Sequence, residues 1–385
     1  MTLKLSDRIH NITGSKSIGL AAIVDDMRSN GQKIISFNVG EPDFNTPSAI
    51  IQATKQALDD NQTRYSLVAG LKDLREALAR KLNKNNGLNI TSKNILLGSG
   101  SKHILYSIFQ TICDIGDEVI IPRPYWVTFP ESVKLAGGKP VFVETVENQL
   151  SVALIEQAIT KKTKAILING PNNPTGAIYP EAILREIAAL AKKHDFFIIS
   201  DDAYELLTYD NLKHVSIASF DEDSFKRTLT VQTFSKSYCM TGFRIGYLVA
   251  GIEVINGVNK LHSHLTGNNV TFAQYGAIAA LEMPQSELDK MRATMEKRRD
   301  LAYQLCREIF DVVKPQGAFY LWPKVEQLFG EKFQNSDQLA EYILKEAQVA
   351  VLPGSAFGDD RHLRFSFACS EEDIREGFRK IKEIL

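Results

Sequence analysis

Lys236 sits in Thr-Phe-Ser-Lys-Ser-Tyr-Cys-Met-Thr-Gly-Phe-Arg-Ile-Gly-Tyr, residues 233–247, between two apolar runs. Leu229-Thr-Val-Gln-Thr-Phe234 leads into it, and Ile245-Gly-Tyr-Leu-Val-Ala250 follows. An ammonium held between buried strands without a partner is expensive. The cost disappears when the amine is condensed with an aldehyde as a Schiff base, a reaction to which lysine is suited. Taken alone, Lys236 reads equally well as a surface lysine at a strand end. Arg244, further along the same segment, has the charge and donor fork to hold a phosphate.

Other segments carry compatible parts. Asp201, Asp202 and Tyr204 follow the apolar run Phe196–Ser200. A carboxylate at a buried strand end needs a positive partner, which a pyridinium nitrogen supplies; a helix N-cap is the ordinary alternative. Asn172 and Asn173 lie in Gly170-Pro-Asn-Asn-Pro-Thr-Gly176, a dense turn sequence that can hold an Asn amide toward a ligand oxygen, with a plain turn as the alternative. Trp126, in Arg123-Pro-Tyr-Trp126, is either a stacking platform for a flat ring or a core aromatic. Ser99-Gly-Ser-Lys-His103 opens a helical pattern, and its small residues expose backbone N–H groups at a helix N-terminus as a candidate phosphate cradle, with an ordinary strand-to-helix turn as the alternative. This segment lacks the third glycine of a dinucleotide fingerprint and does not match a Walker loop. Arg364, in His362-Leu-Arg-Phe-Ser-Phe367, puts a rigid charged fork on one strand face, suited to a carboxylate or to a structural ion pair. Together these are the parts that pyridoxal 5'-phosphate (PLP) chemistry requires: an amine, a carboxylate for the ring nitrogen, donors for the ring oxygen, a phosphate cradle, a ring stack and a carboxylate fork.

The elements that must position them form an α/β pattern. Short β-rich runs at 94–98, 118–122, 140–144, 165–169, 196–200 and 229–233 alternate with amphipathic helical segments. Several runs are apolar throughout, which suits a mainly parallel sheet covered on both faces, over roughly 90–250. Ligands bind beyond the carboxyl ends of such strands, where the candidates above fall. Thr46-Pro47 predicts an N-cap followed by proline at the first turn of a helix over 48–58, and Pro180 opens another over 181–193. From 285 onward the pattern changes to a long charged helix, two strand-like runs and a final helix capped by Ser370. The expected organisation is a large PLP-binding domain at 46–284. Residues 1–45 and 285–385 then supply an N-terminal lid segment and a smaller α+β domain.

Composition narrows the class. With 385 residues and 44% hydrophobic content, the chain has material for a large soluble unit. A net charge of −1 gives no basic field for nucleic acid or anionic membranes. Four scattered cysteines suggest neither a disulfide framework nor a metal site, and His262 with His264 lacks further ligands. No apolar signal core or membrane-length run is seen, so a cytoplasmic enzyme is expected.

The chain resembles the class I aminotransferases, the fold-type I PLP-dependent transferases, and most of all their bacterial aspartate aminotransferase branch. The resemblance runs from about residue 5 to 380. It rests on Asn38-Val-Gly-Glu-Pro-Asp-Phe-Asn-Thr-Pro47, Tyr65, Gly70, Leu74-Arg-Glu-Ala77, Pro124-Tyr-Trp126, Asn173-Pro-Thr-Gly176, Ser200-Asp201, Ser235-Lys236 and Met240-Thr-Gly-Phe-Arg-Ile-Gly246. It implies that Lys236 forms the Schiff base and shuttles the proton, while Asp201 keeps the ring nitrogen protonated. It implies Tyr204 and Asn173 on the ring oxygen and Trp126 on the ring face. Ser101, Lys102, a hydroxyl from Thr233 or Ser235, and Arg244 would hold the phosphate. Tyr65 would reach the phosphate of a neighbouring subunit in a homodimer with shared sites, and Gly40 and Arg364 would meet the substrate carboxylate.

The implied activity is ping-pong transfer of an amino group between an L-amino acid, aspartate or glutamate, and a 2-oxo acid, 2-oxoglutarate or oxaloacetate. Aromatic, alanine or broad specificity, or β-elimination, are the alternatives on the same fold. A PLP-binding regulator or a dinucleotide-dependent dehydrogenase fits less well, for want of a DNA-binding module and of the third glycine. Lys16, Leu265 and Gly267 stand where small hydroxyl residues are usual, Phe243 where tryptophan is common and Asp202 where glutamate is. Residues 15–17 and 262–267 are therefore the expected seat of side-chain specificity, with Lys16 a candidate partner for a distal carboxylate.

Overall fold

The computed structural model describes residues 3–385. Its strands in chain order are β1 (Ile35–Ser36), β2 (Ile95–Ser99), β3 (Glu118–Arg123), β4 (Lys139–Glu144), β5 (Thr163–Asn169), β6 (Phe197–Asp201), β7 (Thr228–Thr233) and β8 (Ile245–Val249). They continue with β9 (Tyr320–Leu321), β10 (Val349–Ala350), β11 (Leu352–Pro353) and β12 (Leu363–Ser366). A seven-stranded sheet has the order β2-β8-β7-β6-β5-β3-β4. All its pairings are parallel except those of β8, which runs antiparallel to both β2 and β7.

The apolar runs explain the layering. β7 and β8 are buried at every position, as strands covered on both faces must be. The helices Ser101–Ile112 and Glu181–His194 turn apolar stripes onto the sheet, with Ile104, Leu105, Ile108 and Phe109 buried in the first and Leu184, Ile187 and Leu190 in the second. The antiparallel β8 has a functional consequence. Its first residue, Ile245, faces Ser99 at the end of β2. The segment just before β8, which holds Arg244, therefore lies at the same edge of the sheet as the carboxyl ends of β2, β5, β6 and β7.

The remaining strands form smaller sheets. β1 pairs in parallel with β10 through Ile35 and Val349. β12 lies between β11 and β9, with Arg364 opposite Leu352 and Phe365 opposite Leu321. One core cluster joins Ile35 and Phe37 to Met295, Phe319, Phe365 and Phe378, so the N-terminal segment packs with the C-terminal elements. The charged helix spans Gln285–Cys306, and the last helix, Glu371–Ile384, is capped by the Ser370 hydroxyl accepting from Asp373 N–H at 3.0 Å. The capping expected at Thr46 is corrected. Pro47 is the N-cap of Ser48–Asp59, and the Thr46 hydroxyl instead donates to Cys239 O at 2.5 Å. That bond ties this segment to the loop after Lys236.

Candidate active site

A cavity of about 400 Å³ opens at the carboxyl edge of the large sheet. Gly40, Ser101, Lys102, Trp126, Asn173, Asp201, Tyr204, Ser235, Lys236, Arg244 and Arg364 all line it. Eleven candidates from seven separate stretches of sequence thus meet in one space. A larger cavity of about 680 Å³ adjoins it through Lys102 and Arg244, but its wall contains none of Lys236, Asp201 or Arg364.

Lys236 follows β7, and its Nζ donates to Gly40 O at 2.6 Å. Burial pushes its pKa down to about 8; Arg364 and Arg244 push the same way, while Glu41 and Asp201 oppose. Such an amine is readily neutral, the state needed of a nucleophile or base. Asp201 ends β6, and its Oδ1 accepts from Ala203 N–H at 3.2 Å. Burial pushes its carboxyl up to about 7, against the pull of that N–H, and the Asp202 charge adds to the rise. No helix starts at Asp201, so the capping alternative is set aside.

Arg364, on β12, is only 4% exposed. Its Nη1 donates to Asn173 Oδ1 at 3.1 Å and its Nη2 to Asn38 O at 2.8 Å, while Nε is buried without a partner. Its planar group lies over the Tyr320 ring, 4.3 Å from the centroid. Among the described residues no carboxylate lies within ion-pair distance of it. A buried guanidinium left so is costly unless an anion joins it.

At the other end of the cavity, helix Ser101–Ile112 begins after Gly100, which has φ 80° and offers no side-chain cap. The first N–H groups therefore stay open toward an anion, with the helix dipole behind them. A Cβ on Gly100 would come within 2.5 Å of Arg244 Nη2, and one on Gly246 within 2.5 Å of Ser101 N. Glycine at both places lets the guanidinium and the helix terminus converge. The donor set fits PLP: an amine, a buried carboxylate without a cation, an aromatic face at Trp126, and an anion cradle.

Some expectations need correction. Thr233 does not line the cavity; its hydroxyl lies 3.0 Å from Ser235 Oγ and 3.1 Å from Ile245 O, leaving Ser235 as the available hydroxyl. Tyr65, expected to act on a neighbouring subunit and not on this cavity, is 98% exposed and lies outside this cavity's wall, so that expectation is not among those corrected. Lys16 is not a spare cation. Its Nζ bonds Asp337 at 2.7 and 3.0 Å and Ser355 Oγ at 2.8 Å. His262 is buried against Ser107 Oγ at 2.8 Å and stacked on His103, and 262–267 does not reach this chain's cavity.

Sequence reasoning missed three contributors. Tyr320 lines the cavity and shares a 2.8 Å hydrogen bond with Tyr204 through their hydroxyls. Its strand was legible, but not which face looked inward. Asn169 bridges the loops: Nδ2 donates to Asp201 O at 2.9 Å, and Oδ1 accepts from Asn173 N–H at 2.8 Å. The side chain of Lys102 also enters the cavity wall, with Nζ 5.3 Å from the Trp126 ring centroid. Among the described residues it has no carboxylate within ion-pair distance, and its pKa is lowered by partial burial and by Arg244.

A mostly parallel sheet with a lysine, a carboxylate and an anion cradle at its carboxyl edge defines a fold-type I PLP-dependent transferase. The comparisons agree. The family model for aminotransferase class I and II matches residues 32–381. A probable aspartate/prephenate aminotransferase of Aquifex aeolicus is 44% identical, over 99% of this chain and 98% of its own length. The aspartate aminotransferase of Bacillus subtilis is 40% identical over 100% and 99%. The structure of Thermus thermophilus aspartate aminotransferase with maleate superimposes with a TM-score of 0.95 at 36% identity, covering 100% of both chains. The chain belongs to the class I and II aminotransferases, a family whose cofactor is PLP.

Proposed function

We propose that this protein moves an amino group between L-aspartate or L-glutamate and a 2-oxo acid, 2-oxoglutarate or oxaloacetate, in a ping-pong cycle. The substrate class rests on one observation. Two cations in the cavity wall, Arg364 and Lys102, have no carboxylate partner among the described residues, which suits a ligand with two carboxylates. Relatives named aspartate aminotransferase support the same reading.

PLP, when bound, supplies an aldehyde that condenses with amines and a ring that spreads the negative charge left at the substrate's Cα. Arg364 grips the α-carboxylate, with Asn173 and Gly40 beside it. Lys236 takes the Cα proton as general base and later returns a proton as general acid. Asp201 holds the proton on the ring nitrogen, and Trp126 covers one ring face. Tyr204 and Asn173 address the ring oxygen. The Ser101 and Lys102 N–H groups, Ser235 and Arg244 hold the phosphate. Lys102 Nζ receives the distal carboxylate.

Residues 46–284 act as the PLP-binding domain in this reading, and 1–45 with 285–385 as lid segment and small domain. The protein works as a cytoplasmic homodimer, in which the exposed Tyr65 reaches the phosphate site of a second copy. No helix of the described residues is long and apolar enough to cross a membrane.

A panel of L-amino acids with 2-oxoglutarate as acceptor tests the proposal. Aspartate is expected to give the highest kcat/KM, with oxaloacetate as product. Preference for an uncharged amino acid would overturn the dicarboxylate assignment. Pyruvate and ammonia formed without an acceptor would replace transfer by elimination.

A further inference from the structure

Two carboxylates follow one another at the end of β6, and the cavity accounts for only one. Strand alternation sends Asp201 to the cavity and Ser200 and Asp202 to the opposite side. Asp202 is 1% exposed. Its backbone N–H donates to Val231 O at 2.9 Å, which fixes its position against β7. Its Oδ1 accepts from the Ser200 hydroxyl at 2.6 Å. Its Oδ2 lies 3.0 Å from His214 Nε2, close enough for an ion pair though poorly aligned as a hydrogen bond.

We infer that His214 is a positioning residue for Asp201: as an imidazolium it neutralises Asp202 from behind, so that Asp201 alone presents net negative charge to the cavity. This rests on the reading that Asp201 faces the ring nitrogen of bound PLP.

The electrostatics require some such device. Adjacent buried carboxylates raise each other's proton affinity, and an uncompensated charge at Asp202 would drive Asp201 toward its protonated form. A protonated Asp201 could not act as the countercharge of a ring cation. The groups facing His214 favour its charged state. Burial lowers its pKa most and Lys81 adds to that, but Asp202 and Glu205 together outweigh them and the net shift is upward. Lys81 is itself engaged by Glu205, which also accepts from Asn86 at 2.7 Å and Gln232 at 2.7 Å. The charge of Glu205 is thus largely taken up, and the imidazolium is left to Asp202. Asp201 faces Asp202 on one side and Lys236 across the cavity. His214 touches neither cofactor space nor substrate, so its effect passes through Asp202.

The test uses the holoenzyme without substrate and reads the pH midpoint at which the visible absorbance of bound PLP changes. His214→Gln keeps a donor and removes the charge. The negative charge left on Asp202 favours protonated neighbours, so the midpoint should rise by about half a pH unit or more, as for a unit charge at an effective dielectric of about 20. His214→Gln combined with Asp202→Asn removes both charges and should return the midpoint to the wild-type value. An unchanged midpoint in His214→Gln, or no recovery in the double variant, overturns the inference and leaves a purely structural pair. Isotope-edited NMR of the wild-type imidazole needs no variant: a neutral His214 near neutral pH also overturns it. A wild-type protein that binds no PLP would instead refute the reading on which the inference rests.

Discussion

The guanidinium of Arg364 donates to Asn173 Oδ1 at 3.1 Å, joining β12 of a small sheet to the loop after β5 of the large one. The bond uses one donor and leaves Nε buried without a partner. Arg364→Ala is therefore expected to lower kcat/KM for every amino acid by about 10²-fold or more, the effect of truncating one side of a buried charge pair. Arg364→Lys should recover only part, because it restores charge without the fork. Steady-state rates across several amino acids decide this. Unchanged kcat/KM in Arg364→Ala would move the carboxylate site elsewhere.

Asp201 links cofactor binding to pH. Its carboxyl rises from 3.8 to about 7 in the fold, chiefly by burial. Across that window the folded apoprotein keeps a proton that the unfolded chain releases, so apoprotein stability falls as pH rises. A ring cation at Asp201 opposes the shift by favouring the charged carboxylate. The gain in Tm on adding PLP should thus be larger above about pH 7 than near about pH 5. In Asp201→Asn this pH dependence should flatten. A gain independent of pH in the wild type would contradict the assignment.

The role proposed for Lys102 is to separate dicarboxylates from other substrates. Lys102→Gln is expected to raise KM for aspartate and glutamate about tenfold, the loss of one charge-assisted hydrogen bond. Alanine should be little affected, since it has no second carboxylate. An equal loss for alanine and aspartate would place Lys102 in cofactor binding alone.

Lys16 holds the helix Lys16–Ser29 to Asp337 and Ser355. Its side chain is 43% exposed, and so the pair should contribute at most about 1 kcal/mol in a double-mutant cycle with Asp337. Lys16→Ala is expected to leave the ratio of aspartate to alanine activity unchanged. A change in that ratio would return Lys16 to the substrate.

The strands and the residues at their ends were legible because several apolar runs end in groups whose chemistry calls for a ligand. Asp201, Asn173 and Lys236 were candidates before any coordinates because they follow such runs, and Arg364 because it lies inside a strand-like one. The antiparallel course of β8 was not legible, since apolar runs carry no direction; yet it explains why Arg244, which precedes its strand, joins residues that follow theirs. The ion pair of Lys16 was not legible because its partner, Asp337, is remote in sequence. Tyr320 and the Lys102 side chain were missed because neither sits in a motif that announces which way a side chain points. The pairing of His214 with Asp202 depends on a loop crossing behind β6, which no periodicity reveals.

In the proposed cycle Lys236 carries the cofactor. Borohydride reduction of the PLP-loaded protein, followed by peptide mass mapping, tests it most directly. A reduced pyridoxyl-phosphate adduct is expected on the peptide containing Lys236, with its loss in Lys236→Ala. An adduct confined to another lysine, or none on a protein that retains PLP, would contradict it.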